Sequence, residues 1–343
     1  MKKRLATIVR NLSRIKVVVM GDIISDEYLF GLTSRVSREA PVLILRYNSG
    51  RLLLGGAANT ANNIRALGGK PLLIGVVGDD RAGDELIKVM KERGLDTNGV
   101  VRVKGRPTTV KTRILAGGLH TSRQQVIRID TETESPVERA VEKRLIKNAV
   151  RALKNAQSLL VSDYGLGAVT NESIKQVNAL AGDEKKIITI DSRSRLLQFK
   201  GVTGATPNEP EAEEALRMEL PDDRKVLEGG ALLLRIMGGK SLLITRGKKG
   251  MVLFERGRPA RLIPIYGSDE VADVTGAGDT VIGTFTLALS SGATPYEAAL
   301  IATYAAGIVV MKQGTATVTR QELLHAINED KTLIGSLSLK GRG

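Results

Sequence analysis

The stretch D-V-T-G-A-G-D-T at residues 273–280 decides the fold, because it leads from an irregular segment into a helix. Gly276 and Gly278 permit a tight turn and a close approach of the backbone to a ligand. The small and apolar run that follows, V-I-G-T-F-T-L-A-L, predicts a helix that begins at these glycines. The free amides at the start of a helix bind anions, and Asp279 stands in the first turn beside them.

A carboxylate next to an anion-binding helix end is the arrangement that phosphoryl transfer requires. The carboxylate of Asp279 can accept the proton of an attacking hydroxyl while the amides hold the charge of the transferred group. The alternative, for these residues alone, is a capped turn with an acidic residue in the first helical turn, because short motifs also arise by chance.

Composition excludes several other chemistries. The 343-residue chain has no Cys, which excludes disulfides, thiolate metal sites and cysteine nucleophiles. Its two histidines, His120 and His325, are too few for a histidine metal site or a Ser-His-Asp triad to be expected. The formal net charge of +14 suits either nucleic acid or anionic small molecules. Aromatic residues make up only 3% of the chain and the basic residues are dispersed, which favours small molecules over nucleic acid.

Apolar runs alternate with helical patterns along the chain. Buried strands are predicted at 16–22, 71–78, 158–164, 186–191 and 241–247, and helices at 57–67, 84–93, 138–155, 171–180 and 222–237. This alternation predicts an α/β fold with a doubly wound, mostly parallel sheet flanked by helices. Ligands bind beyond the carboxyl ends of such strands, where Asp22, Asp163, Asp191 and Arg246 fall.

Other segments differ from this alternation. Residues 42–47 and 108–130 alternate with period two and predict antiparallel strands. The basic N-terminus predicts an amphipathic helix packed on the domain through Leu5, Ile8, Leu12 and Ile15, with a membrane-surface anchor as the alternative. No run of 18 apolar residues occurs, so no membrane span and a cytoplasmic location are expected. Residues 1–330 are predicted to form one domain and 331–343 a C-terminal tail.

Four motifs together resemble one enzyme family. Residues 273–280 resemble the C-terminal signature of the ribokinase-like (PfkB) family of carbohydrate kinases. V-V-V-M-G-D-I-I-S-D-E-Y (17–28), T-S-R-V-S-R-E-A-P-V (33–42) and G-G-A-A-N-T-A-N-N-I (55–64) resemble its heptose-7-phosphate kinase branch, known as half of a bifunctional lipopolysaccharide-precursor enzyme. The resemblance runs from about residue 17 to 326. It implies a ribokinase-like fold whose small β lid, at about 35–50 and 105–130, covers the sugar and often pairs two chains into a homodimer.

The resemblance implies a role for each motif residue in catalysis and ATP binding. Asp279 is the base that takes the proton of a sugar hydroxyl attacking the γ-phosphate of ATP, and the amides of Gly276, Ala277 and Gly278 form the anion hole. The remaining implied nucleotide and metal residues belong to the A-T-P-N-E-P-E segment, the T-R-G-K-K-G turn and the late K-Q-G-T-A-T-V segment: Asn208, Glu209, Pro210, Glu211, Thr245, Arg246, Gly247, Gly250 and Gly314.

Two cation sites are also implied. Asn208 and Glu211 match the N-x-x-E motif that organises Mg²⁺, largely through water, and the alternative is a helix N-cap with an acidic residue at its third position. Asp273 and Thr275 are implied for a monovalent cation such as K⁺. The turn after Thr245 has its own alternative, a plain hairpin.

For the sugar, the resemblance implies that Asp22 accepts hydrogen bonds from sugar hydroxyls and that Asp26 and Asn59 belong to the same pocket. Gly55 and Gly56 permit close backbone approach. A run of lid cations suits a substrate that already carries a phosphate: Lys111, Arg113, Arg123 and Arg128. The alternative is a solvated strand face, in which Asp130 pairs with one of these cations.

The resemblance therefore implies an ATP- and Mg²⁺-dependent kinase acting on the anomeric hydroxyl of D-glycero-D-manno-heptose 7-phosphate. The alternatives are another kinase of the family using fructose or ribose, and a non-catalytic sugar-phosphate sensor. The chain departs from the branch near the sugar, with Arg38 in place of a Pro, Arg193 in place of the Lys of D-P-K, and Thr60 after the G-G-A-A-N motif. It contains no H-x-G-H nucleotidyltransferase motif, so a separate adenylyltransferase is expected downstream.

Overall fold

A computed structural model of the chain describes residues 1–117, 124–182, 186–267, 272–312, 314–330 and 333. The helices are α1 (Lys2–Asn11), α2 (Gly56–Ala66), α3 (Arg81–Glu92), α4 (Arg139–Leu153), α5 (Asn171–Ala181), α6 (Glu209–Leu216), α7 (Asp223–Met237), α8 (Ala277–Ser290), α9 (Pro295–Val309) and α10 (Arg320–Glu329). The strands are β1 (Lys16–Gly21), β2 (Ile23–Val36), β3 (Leu43–Gly55), β4 (Lys70–Gly78), β5 (Val100–Val103), β6 (Val110–Gly117), β7 (Gln124–Thr131), β8 (Ser158–Asp163), β9 (Ile187–Ser192), β10 (Gly204–Ala205), β11 (Ser241–Thr245), β12 (Met251–Glu255) and β13 (Arg261–Ile263).

The large sheet has the strand order β13-β12-β11-β10-β9-β8-β1-β4-β5. Pairing is parallel from β11 to β5, and β12 and β13 add an antiparallel edge. Two clusters of buried apolar residues cover its faces, one around α2, α8 and α9 and the other around α4, α5 and α7. The predicted α/β fold, with its mostly parallel sheet between helices, is confirmed. The five strands and five helices predicted from hydrophobic pattern all form, with ends displaced by a few residues.

A smaller four-stranded sheet confirms the antiparallel strands predicted at 42–47 and 108–130 and adds one parallel pairing that was not predicted. Its order is β3-β2-β6-β7, in which β2 pairs antiparallel with β3 and parallel with β6, while β6 and β7 are antiparallel. It also begins at Ile23, before the segment 35–50 proposed for a lid. The first part of β2 is buried on both faces, so the period-two alternation that marks a half-buried strand is absent there. The predicted lid residue Arg123 and the residue His120 lie outside the described residues.

The N-terminal helix packs on the domain, as predicted. Leu5, Ile8 and Leu12 are buried against the core, and α1 contacts α10. The ammonium of Lys2 donates to the carbonyl of Asn328 at 3.0 Å, so the basic start of α1 is also held against α10. Among the described residues, no helix is both long enough and apolar enough to cross a membrane. The predicted tail, 331–343, falls outside the described residues apart from the buried Leu333.

Candidate active site

The glycine-rich segment begins α8 at the carboxyl edge of the large sheet. Gly276 is the N-cap, and its φ of 78° lies in the left-handed region that glycine adopts without strain. A Cβ at this position would also lie 2.5 Å from Nδ2 of Asn59 on α2. Both the backbone conformation and the contact with α2 therefore require glycine here.

Asp279 lies in the first turn of α8 and is only 2% exposed. Its Oδ2 accepts a hydrogen bond from Nδ2 of Asn59 at 2.9 Å. Its Oδ1 accepts two, from the hydroxyl of Thr60 at 3.0 Å and from the hydroxyl of Tyr164 at 3.1 Å. Burial raises the pKa of Asp279 to about 6, although the three hydrogen bonds pull it down. A carboxylate that ionises near neutral pH is well matched to general-base catalysis.

A polar cavity of about 250 Å³ opens beside Asp279. It is lined by Asp163, Tyr164, Asp191, Arg193, Thr206, Asn208, Glu211, Thr245, Val274, Gly276, Gly278 and Asp279. Burial raises the pKa of Asp191 well above its ordinary value, and the carboxylates of Glu211 and Asp279 raise it further. Burial also raises the pKa of Glu211. The cavity therefore concentrates carboxylates that repel one another, with Arg193 as the cation among its lining residues.

The N-x-x-E segment forms a capping box, the alternative to a metal motif. The amide of Glu211 donates to Oδ1 of Asn208 at 2.8 Å, and the amide of Asn208 donates to Oε2 of Glu211 at 2.9 Å. Pro210 stands in the first turn of the same helix, where its missing N–H has no cost. Both capping side chains nevertheless line the polar cavity, so the cap does not remove them from the candidate site.

Arg246 and Glu209 face each other and not the polar cavity. Nε of Arg246 lies 2.6 Å from Oε1 of Glu209, and its Nη2 lies 2.7 Å from Oδ1 of Asp223. Arg246 is 6% exposed, and its guanidinium joins the first turns of α6 and α7 to the end of β11. The ATP-binding role expected for Arg246 and Glu209 has no support from this geometry, which gives them a structural ion pair. The turn that follows is a β11–β12 hairpin.

A second, mostly apolar cavity of about 300 Å³ adjoins the first. It is lined by Thr245, Gly247, Lys248, Gly250, Met251, Ile265, Tyr266, Val274, Ala277, Gly278, Val281, Thr303, Ala306, Gly307 and Val310. Thr245, Val274 and Gly278 border both cavities, so the start of α8 separates a polar compartment from an apolar one. The predicted nucleotide residues Thr245, Gly247 and Gly250 thus lie together.

Asp273 ties two loops near this boundary. Its Oδ1 accepts the amide of Thr275 at 2.9 Å, and its Oδ2 accepts the amide of Gly314 at 3.0 Å. The segments predicted to hold a monovalent cation are therefore in contact. Among the described residues, no group of three or more His, Cys, Asp or Glu side chains could hold a metal ion.

The carboxylate of Asp22 accepts hydrogen bonds from the backbone. It accepts the amides of Tyr164 at 2.8 Å, Leu166 at 3.2 Å and Ala168 at 3.0 Å. Burial raises its pKa despite these hydrogen bonds. Asp22 therefore holds the loop after β8, and the sugar contact expected for it could use only the remaining lone pair of Oδ1.

Asp26 and the glycine pair pack at the same place, where β2 and β3 meet α2. A Cβ on Gly55 would lie 2.6 Å from Oδ2 of Asp26. Gly56 has a φ of 53°, and a Cβ there would lie 2.4 Å from the carbonyl oxygen of Asp22. Both glycines therefore have close neighbours. In this structure the neighbours are protein atoms of Asp26 and Asp22, and not atoms of a ligand.

The cations expected to bind a substrate phosphate are paired with carboxylates wherever the structure describes them. Nζ of Lys111, which is 8% exposed, lies 3.1 Å from Asp130 and 2.6 Å from Glu132. Nε of Arg128 lies 2.9 Å from Asp130, and Arg113 pairs with Asp26. The β6–β7 register places Lys111 opposite Asp130, a pairing that spacing along the sequence does not specify. Asp130 thus contacts two of the cations, not one.

Thr60, Tyr164 and Thr206 were not predicted as site residues. Their positions in the sequence could have indicated two of them, because Thr60 immediately follows Asn59 in the third N-terminal motif and Tyr164 is the last residue of the strand predicted at 158–164. Thr206 is buried, lines the polar cavity, and its hydroxyl has no hydrogen-bond partner in the described part of the chain.

A buried carboxylate of raised pKa at the glycine-rich start of a helix, between a polar and an apolar compartment, suits phosphoryl transfer to a hydroxyl. The family profile of the pfkB family carbohydrate kinases matches residues 14–322. The chain belongs to this family and is a sugar kinase, a phosphotransferase that acts on a carbohydrate hydroxyl.

Curated relatives include the bifunctional protein HldE of Desulfatibacillum aliphaticivorans, 38% identical over 312 residues, which cover 91% of this chain and 63% of the relative. The bifunctional protein HldE of Trichlorobacter lovleyi is 36% identical over 328 residues, covering 95% and 66%. The chain thus spans roughly two thirds of the length of these relatives.

Solved structures share the ribokinase-like fold at low identity. Arabidopsis thaliana ribokinase complexed with ribose and ATP has a TM-score of 0.70 and 20% identity, covering 92% of this chain and 99% of the ribokinase. Phosphofructokinase-2 from Escherichia coli in complex with potassium has a TM-score of 0.71 and 16% identity, covering 92% and 98%. At these identities the likeness concerns the fold alone.

Proposed function

We propose that this chain transfers the γ-phosphate of ATP to the anomeric hydroxyl of D-glycero-D-manno-heptose 7-phosphate. The observation that carries the kinase chemistry is the position of Asp279, a buried carboxylate with a pKa of about 6 at the start of α8. The motifs near the sugar end and the similarity to the bifunctional HldE proteins support a heptose phosphate as the acceptor. The product would be the 1,7-bisphosphate.

In the proposed reaction, Asp279 accepts the proton of the attacking hydroxyl. The sugar oxygen forms a bond to the γ-phosphorus while the bond from that phosphorus to the β,γ-bridging oxygen breaks, and ADP leaves. The amides of Gly276, Ala277 and Gly278 would hold the charge of the transferred group, as a helix start does for anions. Closure of the small sheet over the sugar would exclude water during transfer.

The two compartments support a matching placement of the nucleotide. The apolar cavity, lined in part by Met251, Val281 and Val310, suits an adenine base. The polar cavity then receives the triphosphate, with Thr245 and Gly278 at the passage between them. Arg193 would balance part of the phosphate charge.

Mg²⁺ fits the donor set of the polar cavity. Repulsion from the carboxylate of Glu211 helps to raise the pKa of Asp191 in this cavity. A divalent cation bound there would relieve the repulsion between the two carboxylates. Asn208 and Glu211 would hold the ion mostly through water, and the ion would neutralise phosphate charge. Asp273 and Thr275, whose segments are in contact, are proposed for K⁺, and the similar phosphofructokinase-2 from Escherichia coli has been solved in complex with potassium.

A homodimer is part of the proposal. The small sheet and the loop between its first two strands expose a set of large apolar side chains, including Val36, Val42, Leu43, Tyr47, Ile127 and Ile129. Exposed apolar surface of this kind marks an interaction site, and pairing of two such sheets would cover it. A separate adenylyltransferase, acting in the cytoplasm, is proposed to act downstream of this kinase.

One observation favours a second candidate, a kinase of the same family for an unphosphorylated sugar. Lys111, Arg113 and Arg128 are each paired with carboxylates, so a substrate phosphate would have to displace Asp130 or Glu132 to reach Lys111. A non-catalytic sugar-phosphate sensor is disfavoured because Asp279 and its three hydrogen-bond donors are intact.

The test is ADP release with ATP, Mg²⁺ and a panel of heptose 7-phosphate, sedoheptulose 7-phosphate, fructose 6-phosphate, fructose and ribose. The proposal predicts the highest kcat/KM for heptose 7-phosphate. Preference for fructose or ribose would instead establish the second candidate and leave the lid cations in their present ion pairs.

A further inference from the structure

We infer that Tyr164 is a positioning residue for the base Asp279, fixing one carboxylate oxygen so that the acceptor hydroxyl can meet only the other. This inference rests on the proposed function, because it concerns the same site. It names a residue that neither the motifs nor the family match singles out.

The hydrogen bonds of Asp279 are distributed unevenly between its two oxygens. Oδ1 accepts from Thr60 at 3.0 Å and from Tyr164 at 3.1 Å, whereas Oδ2 accepts only from Asn59 at 2.9 Å among the described residues. A carboxylate oxygen has two lone pairs. Oδ1 is therefore saturated, and Oδ2 retains one lone pair that can take the proton of a sugar hydroxyl.

Tyr164 is itself held rigidly at the end of β8. Its amide donates to the buried carboxylate of Asp22 at 2.8 Å, and the amides of Leu166 and Ala168 donate to the same carboxylate. The amide of Gly165 donates to Asp163 at 3.1 Å. The buried carboxylates of Asp22 and Asp163 thus fix the loop that carries the phenol of Tyr164. Asp22 therefore acts on the site by holding Tyr164 in place.

The ring of Tyr164 also contacts a cation. The guanidinium of Arg193 lies 4.9 Å from the ring centre, within the range of a cation–π contact. In the described part of the chain, Arg193 makes no ion pair with a carboxylate. The ring therefore helps to hold Arg193 in the lining of the polar cavity, where it is available to phosphate.

The test compares Tyr164→Phe with wild type. The substitution removes the hydroxyl but keeps the ring under Arg193. We expect kcat to fall roughly 10-fold, the size of one hydrogen bond to a charged group, with both KM values within about twofold of wild type. The acid limb of the kcat–pH profile should move to higher pH, because a donor that favours the charged carboxylate is lost.

Two further variants, a second donor substitution and a matched control, test the same inference. Thr60→Val removes the other donor to Oδ1 and should move the acid limb in the same direction. Tyr304→Phe is the matched control, because Tyr304 is also a buried tyrosine that donates to a carboxylate, Asp330, at 2.8 Å. It should leave the acid limb in place even if it lowers stability.

A measurement without turnover separates this inference from the proposed function. The pKa of Asp279 can be followed by NMR in protein labelled with ¹³C at aspartate carboxyls, with the signal assigned from Asp279→Asn. A higher pKa of Asp279 in Tyr164→Phe supports the inference whether or not heptose phosphate is the substrate. An unchanged pKa together with an unchanged acid limb would overturn it and leave Tyr164 a structural residue.

Discussion

The side-chain amide of Asn59 donates to Oδ2 of Asp279 at 2.9 Å, although the two residues are 220 positions apart in the chain. This hydrogen bond joins the first helix of the N-terminal motifs, α2, to the first turn of α8. It also explains Gly276, because a Cβ there would collide with the same amide. The two ends of the family signature are therefore one structural unit built around Asp279.

The first prediction concerns the stability of the fold and its dependence on pH. Burial raises the pKa of Asp279 from 3.8 to about 6, so the folded protein holds this proton more tightly than the unfolded chain. The resulting stabilisation is fully present below about pH 4 and is lost as the pH rises through about 6. Asp279→Asn carries no charge, and it should raise the free energy of unfolding over wild type by roughly 1–3 kcal/mol at about pH 8.

Denaturant unfolding of Asp279→Asn and wild type, at about pH 4 and about pH 8, checks this prediction. The gain should be much smaller at the lower pH, where wild-type Asp279 is already protonated. An equal difference at both pH values would show that Asp279 is not buried as a charge.

The second prediction uses the two glycines at the start of α8 as a matched pair. Gly276→Ala places a Cβ 2.5 Å from Asn59 in a left-handed conformation, and should cost at least about 1–3 kcal/mol of stability as well as activity. Gly278→Ala meets no atom within 4 Å and lies inside the helix, so stability should be retained. Its Cβ would enter the space between the two cavities, so the KM for ATP should rise. Thermal unfolding and steady-state kinetics test both, and equal destabilisation by the two substitutions would argue against this geometry.

The third prediction tests whether Arg246 stabilises the fold or binds ATP. Arg246→Met removes ion pairs to Glu209 and Asp223 and should destabilise the fold by roughly 1–3 kcal/mol, below the value for a fully buried pair because Asp223 is exposed. The KM for ATP should stay within about twofold of wild type. A raised KM for ATP at unchanged stability would restore Arg246 to the nucleotide site.

Individual residues show how much of the candidate site could be predicted from the sequence. The helix start at Gly276, with Asp279 in its first turn, could be predicted because a local glycine motif specifies both. The hydrogen bond from Asn59, which was expected to face the sugar, to Asp279 was not predicted. Tyr164 could not be predicted, because its bond to Asp279 spans 115 positions and depends on how the loop after β8 is held. The pairing of Lys111 with Glu132 was missed for a related reason, since strand register is set by packing and not by spacing.

The fourth prediction concerns the apolar face of the small sheet. Replacing Ile127 and Ile129 together by Asp should convert a homodimer into monomers, because charges on a buried apolar interface are unpaired. Val150→Asp is the control, since Val150 is 39% exposed on α4, outside the small sheet. Sedimentation equilibrium gives the result. A wild-type protein that is monomeric at all concentrations, or a double variant that stays dimeric, would contradict the proposed interface.

The most direct test of the central claim is the rate of phosphoryl transfer by Asp279→Asn, measured beside wild type with ATP, Mg²⁺ and heptose 7-phosphate. If Asp279 is the base, wild-type kcat should fall as the pH drops through about 6, because protonation removes the acceptor. The variant should bind the sugar nearly as well while its kcat falls by about 10²–10⁴-fold. Transfer by the variant at close to the wild-type rate would contradict the account.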